Sequence, residues 1–251
     1  MLIIVFLLVI VSSCSSDEAT INGNIILKAN SSINNLSNKN EDSKNESVID
    51  ISSFKLNIKD IEFEIDDDNE NENENEDDDN DNDNDNDDDN ENEDDNEDLE
   101  FELKGPFELD LSNGEFNIVN IEIPNNVYEE IEFRLHKSID SESEMFGKSI
   151  EIKGMINGYP FIFWHNTEEE FEIDFDDSNY NVIVNGNNID LTINFDLNAI
   201  FGKYSNIDFS NLLDSDEDGV IEINPNNDDG NKELADFIID LLEEESELDE
   251  D

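Results

Sequence analysis

The chain has 251 residues, and its 71 acidic side chains against 12 Lys and Arg give a formal net charge of -59 and a pI near 4.1. Such a chain repels phosphate backbones and anionic lipid headgroups, which excludes sequence-independent nucleic-acid binding and a polybasic membrane mode; its charged partners are cations. One cysteine excludes an internal disulfide and a cysteine-built zinc site, so the fold must rest on the 35% of residues that are hydrophobic.

The amino terminus opens with ten apolar residues, 2–11. As a helix they rise about 15 Å, half of the roughly 30 Å hydrocarbon core, which suits a signal peptide and not a membrane span. Val11-Ser12-Ser13-Cys14 follows, an aliphatic residue and two small ones before cysteine. This is similar to a bacterial lipobox, and it makes residues 1–13 the leader and Cys14 the lipid-bearing first residue of the mature chain. Met1 is followed at once by Leu2, so the start amine is the only positive charge ahead of the apolar run. Ser15-Ser16-Asp17-Glu18 then resembles the short acidic signals that send Bacteroidota lipoproteins to the cell surface, which implies an outward-facing outer-membrane lipoprotein.

Beyond the leader, Ile21, Ile25 and Leu27 begin a strand, and 30–47 reads as a mobile polar loop. Residues 54–65 alternate apolar with polar, with a shift of register at Lys59-Asp60 that predicts a bulge. Residues 66–98 contain only Asp, Glu and Asn, 22 acids and 11 asparagines, and fit an insertion between the two strands of a hairpin. The run holds cations loosely or acts as an electrostatic brush; alternatively it is a codon repeat expanded in a permissive loop. Subtracting its 22 charges from -59 still leaves -37 on the rest of the chain, so acidity belongs to the whole protein.

Alternation resumes at 99–103, 107–111, 116–123, 131–135, 149–156, 161–164, 171–175, 182–184 and 189–197, with turn signals at Ser112-Asn-Gly114, Asn157-Gly158 and Asn185-Gly-Asn-Asn188. Ten to eleven short strands punctuated in this way predict a mainly β chain, an antiparallel β-sandwich with aliphatic and Phe side chains inward. Near the end Leu234, Phe237, Ile238, Leu241 and Leu242 form one stripe of an amphipathic helix with Asn231 as its N-cap. Residues 14–242 thus read as a single domain. The acids of 243–251 lie at the negative end of the helix dipole, which predicts a frayed acidic tail.

Catalytic material is scarce. No serine nucleophile elbow, phosphate-cradling glycine loop or HExxH occurs, and carboxylates are too abundant for any pair to stand out. His136 falls on a strand face with Glu130, Glu132 and Arg134, the only arginine, a solvated charge cluster rather than a general-base site. Trp164, followed by His165 in Phe161-Ile-Phe-Trp-His, reads as a core tryptophan, with ligand stacking the alternative. One spacing carries specific chemistry: Asp214, Asp216 and Asp218, then Gly219, Val220 and Glu222, match the first nine positions of an EF-hand-type loop. The acids and the Val220 carbonyl supply oxygens to a hard cation, calcium, while Gly219 permits the sharp turn. At the twelfth position Pro225 replaces the expected bidentate glutamate.

Five stretches resemble a family of uncharacterised Bacteroidota lipoproteins whose domain has no functional name. They are Phe54-Lys-Leu-Asn-Ile-Lys-Asp-Ile-Glu-Phe, Gly105-Pro-Phe-Glu-Leu-Asp-Leu, Tyr128 through Leu135, Ile152-Lys-Gly-Met-Ile-Asn-Gly-Tyr-Pro-Phe and Asp216-Glu-Asp-Gly-Val-Ile-Glu-Ile. The resemblance implies an envelope-anchored β-sandwich with no assigned reaction. Two classes of function follow. One is a non-enzymatic surface module that binds a glycan, a protein partner or divalent cations. The other is a structural or adhesive, pilus-like subunit that assembles by strand addition.

If Cys14 carries the anchor, Cys14→Ala releases the protein from the membrane fraction or leaves it unprocessed. Mass spectrometry of the wild type showing an unmodified Cys14 in a soluble protein would overturn the assignment.

Overall fold

The structure is a computed structural model that describes residues 22–32, 48–65, 101–174, 181–202 and 207–250. The leader, Cys14 and the 66–98 run lie outside the described residues, as does most of the 30–47 loop. Among the described residues no helix is long and apolar enough to cross a membrane.

The chain is mainly β, with two sheets packed as a sandwich. Strands β1 (Asn22–Ser31), β5 (Phe116–Pro124), β11 (Asn188–Phe195) and β13 (Ser246–Glu250) form a four-stranded sheet in the order β13-β11-β1-β5. The nine-stranded sheet is built on β2 (Ile49–Ile65). Its main path is β10-β6-β2-β7-β8-β12, comprising β6 (Val127–Leu135), β7 (Ile150–Ile156), β8 (Tyr159–His165), β10 (Val182–Ile183) and β12 (Ile221–Ile223). Strands β3 (Phe101–Leu103) and β4 (Phe107–Asp110) pair with β2, and β9 (Glu170–Asp174) pairs with β6. Helix α1 (Leu197–Phe201) and a 3-10 turn (Phe209–Asn211) precede β12, and α2 (Lys232–Glu244) follows it.

The expected antiparallel sandwich is observed, with thirteen strands among the described residues, where β1 pairs with β11 and β8 with β12 in parallel. Period-2 patterning fixes which face of a strand is buried but not the direction of its neighbour, so the parallel pairs left no trace in the sequence. The bulge expected at Lys59-Asp60 is present: the register of β2 against β6 shifts between Lys59 and Glu62, and Asp60 has φ 53°. Phe63 of β2 pairs with Phe101 of β3, so the acidic run does connect two antiparallel neighbours.

The core follows the alternation. Ile25, Leu27 and Ala29 of β1, Phe54, Leu56, Ile61 and Phe63 of β2, and Ile131, Phe133 and Leu135 of β6 are buried. Phe195 of β11 joins the two sheets, with its ring 5.6 Å from Phe54 and 6.2 Å from Phe133, both near edge-to-face. Tyr128 is buried and its hydroxyl donates to the Pro124 carbonyl (3.0 Å), closing the β5-β6 connection; burial pushes its phenol up to about 12.

Four expectations are corrected. β1 continues through Asn30 and Ser31, because Ser31 pairs with Phe195 and its hydroxyl donates to the Leu111 carbonyl (3.0 Å). The acidic tail does not fray. Residues 246–250 form β13 against β11 and place Leu248 in the core, so one apolar side chain and a row of backbone hydrogen bonds outweigh the acids around it. Helix α2 buries Ala235, Ile238, Ile239 and Leu242, a stripe rotated about one residue from the predicted one, leaving Phe237 exposed. Trp164 is half-buried on the outer face opposite Glu151, while Phe161 and Phe163 beside it fill the core. Glu151 is fully buried there, with Lys148 and Lys153 paired to its carboxylate.

Gly154 lies opposite Ile51, beside the register shift between Ile51 and Ser53. A Cβ there would stand 2.0 Å from the Asp50 carbonyl oxygen, and backbone cannot step aside as a flexible side chain can. Gly154→Ala should therefore destabilise the fold by about 1–3 kcal/mol, measured by urea unfolding. At Gly158, with open space and φ 86°, the same substitution carries only local backbone strain and should cost less.

Candidate metal centre

The segment between the 3-10 turn and α2 begins with a loop wound around its own carboxylates. Asp214 Oδ2 accepts from the Gly219 amide (3.1 Å), Asp216 Oδ1 from the Asp218 amide (3.1 Å) and Asp218 Oδ1 from the Val220 amide (2.8 Å). Glu217 (φ 62°) and Gly219 (φ 88°) supply the left-handed backbone that turns the loop inward. The chain then enters β12, whose parallel pairing with β8 buries Ile221 and Ile223 and leaves Glu222 half-buried across from Ile162.

This winding brings the predicted residues together. Carboxylate oxygens of Asp214, Asp216 and Asp218 lie within 4.8 Å of one another. A second group with the same spacing contains Asp216, Glu222 and Asp229, so Asp216 belongs to both. Val220 sits between Gly219 and β12, where its carbonyl is the backbone oxygen of the set. Asp214 Oδ1 is buried and has no hydrogen-bond partner. A buried acceptor left without a partner is costly, and a bound cation is one species that would satisfy it. Burial first, then Asp228, Asp229, Asp216 and Asp218, push the Glu222 carboxyl above its usual range. The donor set is all oxygen, which fits a hard divalent cation.

Asp229 was missed by the sequence reading. Pro225 does stand at the twelfth position and offers no side-chain ligand, but the chain turns at 224–230 and returns an acid from the fifteenth residue after Asp214. Asp229 is fully buried: Oδ1 accepts from the Ser215 amide (2.9 Å), Oδ2 from the Glu222 amide (2.7 Å), and its carbonyl accepts from the Ser215 hydroxyl (2.6 Å). The available signal was an unexplained Asp228-Asp229-Gly230 turn directly before a helix, with Gly230 at φ 90°.

Asn231 completes the scaffold. It occupies the expected position at the start of α2 but makes no side-chain cap; Oδ1 accepts from the Leu213 amide (3.1 Å), and Nδ2 donates to the carbonyls of Leu213 and Glu222 (both 2.9 Å). The loop, β12 and α2 therefore share one buried polar knot. Helix α2 is also tied to β8, where the Thr167 amide donates to His165 Nδ1 (3.1 Å) and so leaves Nε2 to donate to Asp236 Oδ1 (3.2 Å). Lys232 pairs with the same carboxylate at 2.7 Å, and Lys232 and His165 hold Asp236 below the usual carboxylate range. The second histidine, His136, stands 3.5 Å from Glu168, and Arg134 beside it pairs with Glu170 at 2.7 Å. Both histidines thus face carboxylates.

Compared with known proteins, the chain matches no family model, no curated protein and no solved structure. The reading of the site therefore rests on its own geometry.

Asn231→Ala would remove the acceptor of the Leu213 amide and the donor to the carbonyls of Leu213 and Glu222. Destabilisation of about 1–3 kcal/mol is expected in thermal or urea melts, with the larger loss of order in the 213–222 segment by hydrogen exchange.

Proposed function

We propose that this protein is an envelope-anchored, non-enzymatic surface binding module, tethered through a lipid on Cys14, in which calcium stabilises the loop that leads into β12 and so ties that strand to α2. The observation that carries the calcium reading is the gathering of Asp214, Asp216, Asp218, Glu222 and Asp229 about Asp216, with one buried oxygen of Asp214 unpartnered. The ion would be held by these carboxylates and the Val220 carbonyl, and what it supplies is charge neutralisation. Asp229 would replace the bidentate acid that Pro225 cannot provide, while its bonds to the Ser215 and Glu222 amides fix the loop around the ion.

A cleft of about 210 Å³ adjoins the site, lined by Ile156, Asn157, Tyr159, Phe209, Leu212, Asp214 and Ile221, with Tyr159 largely exposed at its rim. It is one surface on which a neutral glycan or a protein partner would meet the module. A structural, pilus-like subunit is the second reading, favoured by β5: it lies at a sheet edge, spans nine residues and carries a single charge, Glu122. Long edge strands poor in charge are open to strand addition. Size-exclusion chromatography separates the two readings, since a subunit forms higher oligomers and a module stays monomeric.

With an affinity in the extracellular class, Kd about 10⁻⁴ to 10⁻³ M, calcium at about 2 mM should stabilise the fold by about 0.7–1.8 kcal/mol and raise Tm by about 2–6 °C. The comparison belongs in a variant lacking residues 66–98, whose acids would bind calcium in folded and unfolded chains alike. Asp216→Ala and Asp229→Asn should each abolish the calcium-dependent shift. A shift as large in Asp216→Ala as in its parent would show the loop to be a solvated turn.

A further inference from the structure

The topology gathers different features at the two ends of the sandwich. At one end β1 starts: Asn22 pairs with Pro124 of β5, and the short step to β6 brings in Val127 and Tyr128, opposite Ile183 and Val182 of β10. Hydrogen bonds hold these turns together, with Asn125 Oδ1 accepting from the Gly186 amide (2.8 Å) and the Asn126 carbonyl from the Val184 amide (2.9 Å). Ile65, the last residue of β2, lies opposite Tyr128, and Phe101, the first of β3, lies opposite Phe63. The segment from Cys14 and the 66–98 run therefore both join the domain at this end.

The other end holds the start of β2. Ile49 pairs with Ile156 and Ile156 with Tyr159, while the Val48 amide donates to Asn157 Oδ1 (2.9 Å). Strand β12 begins there, with Ile221 beside Phe161, so the loop of Asp214, Asp216 and Asp218 lies at this end. The cleft formed by Ile156, Tyr159, Asp214 and Ile221 opens on it. Strand β2 alone runs from one end to the other in seventeen residues, a span of about 50 Å at ~3.3 Å per residue.

We infer that the anchored domain stands on its Asn22 end and holds the acidic loop and the Tyr159 cleft away from the bilayer, so that both face the medium. The inference rests on the reading of Cys14 as the lipid-bearing residue. Fully extended, residues 14–21 reach about 28 Å. That is too short for the domain to turn over, since inversion would lift Asn22 about 50 Å from the surface. Lying flat is opposed by charge. The outer face of the large sheet sets Glu102, Glu62, Glu132 and Glu172 in register across β3, β2, β6 and β9, and anionic headgroups repel such a face. Counter-cations accumulate at an anionic bilayer within roughly a Debye length, about 8–10 Å. A loop held at the far end takes its cation from the medium and not from that layer.

The test moves the only tryptophan to either end. In a Trp164→Phe background, Ile183→Trp marks the tethered end and Tyr159→Trp the far one, and both positions are exposed. The chain from residue 14 is coupled through Cys14 to a maleimide-bearing lipid in phosphatidylglycerol vesicles that contain a dansyl-labelled headgroup lipid. Energy transfer to dansyl should be at least about threefold greater from position 183 than from position 159, given their separation along the strands. Asn185→Trp at the tethered end and Val48→Trp at the far end, also exposed, repeat the comparison and should give the same order. Equal transfer from the two ends, or more from the far one, would overturn the orientation. Flotation of the chain expressed with its leader reads the anchor separately: failure to float, with the contrast kept in the coupled chain, would overturn the lipid on Cys14 and leave the orientation standing as a property of the fold and its tether.

Discussion

The contact on which the rest depends is the packing of Phe195 between the two sheets. With 71 acids against 12 Lys and Arg, nearly six to one, ion pairs cannot hold this chain together, and no disulfide is available. Cohesion has to come from apolar surface. Phe195 touches Phe54 and Phe133 at the centre of the sandwich, and Phe133 continues to Phe171 with ring centroids 5.2 Å apart, so one aromatic relay links β11, β2, β6 and β9. Strand β2 supports this relay by pairing with β3, β4, β6 and β7 along its seventeen residues, bending at Asp60 to reach them all.

Charge is then disposed around that core under two regimes. Outward faces tolerate acid because water screens it, even where register places carboxylates directly opposite one another, as from Glu102 to Glu172. Inside, each acid needs specific donors. Glu151 is covered by two lysines, and Asp229 is held by two amides of the loop it organises. Buried Asp229 and Asn231 connect the acidic loop, β12 and α2, so whatever neutralises the loop acts on the packing of the carboxyl-terminal third. The same knot places the acidic loop next to the cleft at Tyr159, where Ile156, Phe209, Leu212 and Ile221 form an apolar floor beneath an exposed aromatic ring.

Much of this was legible in the sequence for a definite reason. Alternation of period two reports a face buried against another layer, and it located most strands, the inward residues and even the bulge at Lys59-Asp60, because a bulge leaves a one-residue slip in the pattern. Composition located the insertion between β2 and β3, since a run with no apolar residue has nothing to bury. The spacing of Asp214, Asp216 and Asp218 ahead of Gly219 is local, and the fold draws their carboxylate oxygens within 4.8 Å of one another.

What the tertiary structure alone decided is everything that joins residues distant in the chain. The parallel pairing of β1 with β11 spans more than 160 positions, and no pattern within either strand encodes it. Strand β13 exists because β11 offers it an edge and the core has room for Leu248; within an acidic tail that leucine looks incidental. Asp229 joins the carboxylates around Asp216 only after the 224–230 turn folds back, and Glu132 meets Glu62 and Glu172 only once β2 and β9 flank β6. Sequence periodicity specifies which side of an element is apolar, whereas pairing direction, return turns and opposed charges depend on which elements become neighbours, and that is settled by packing.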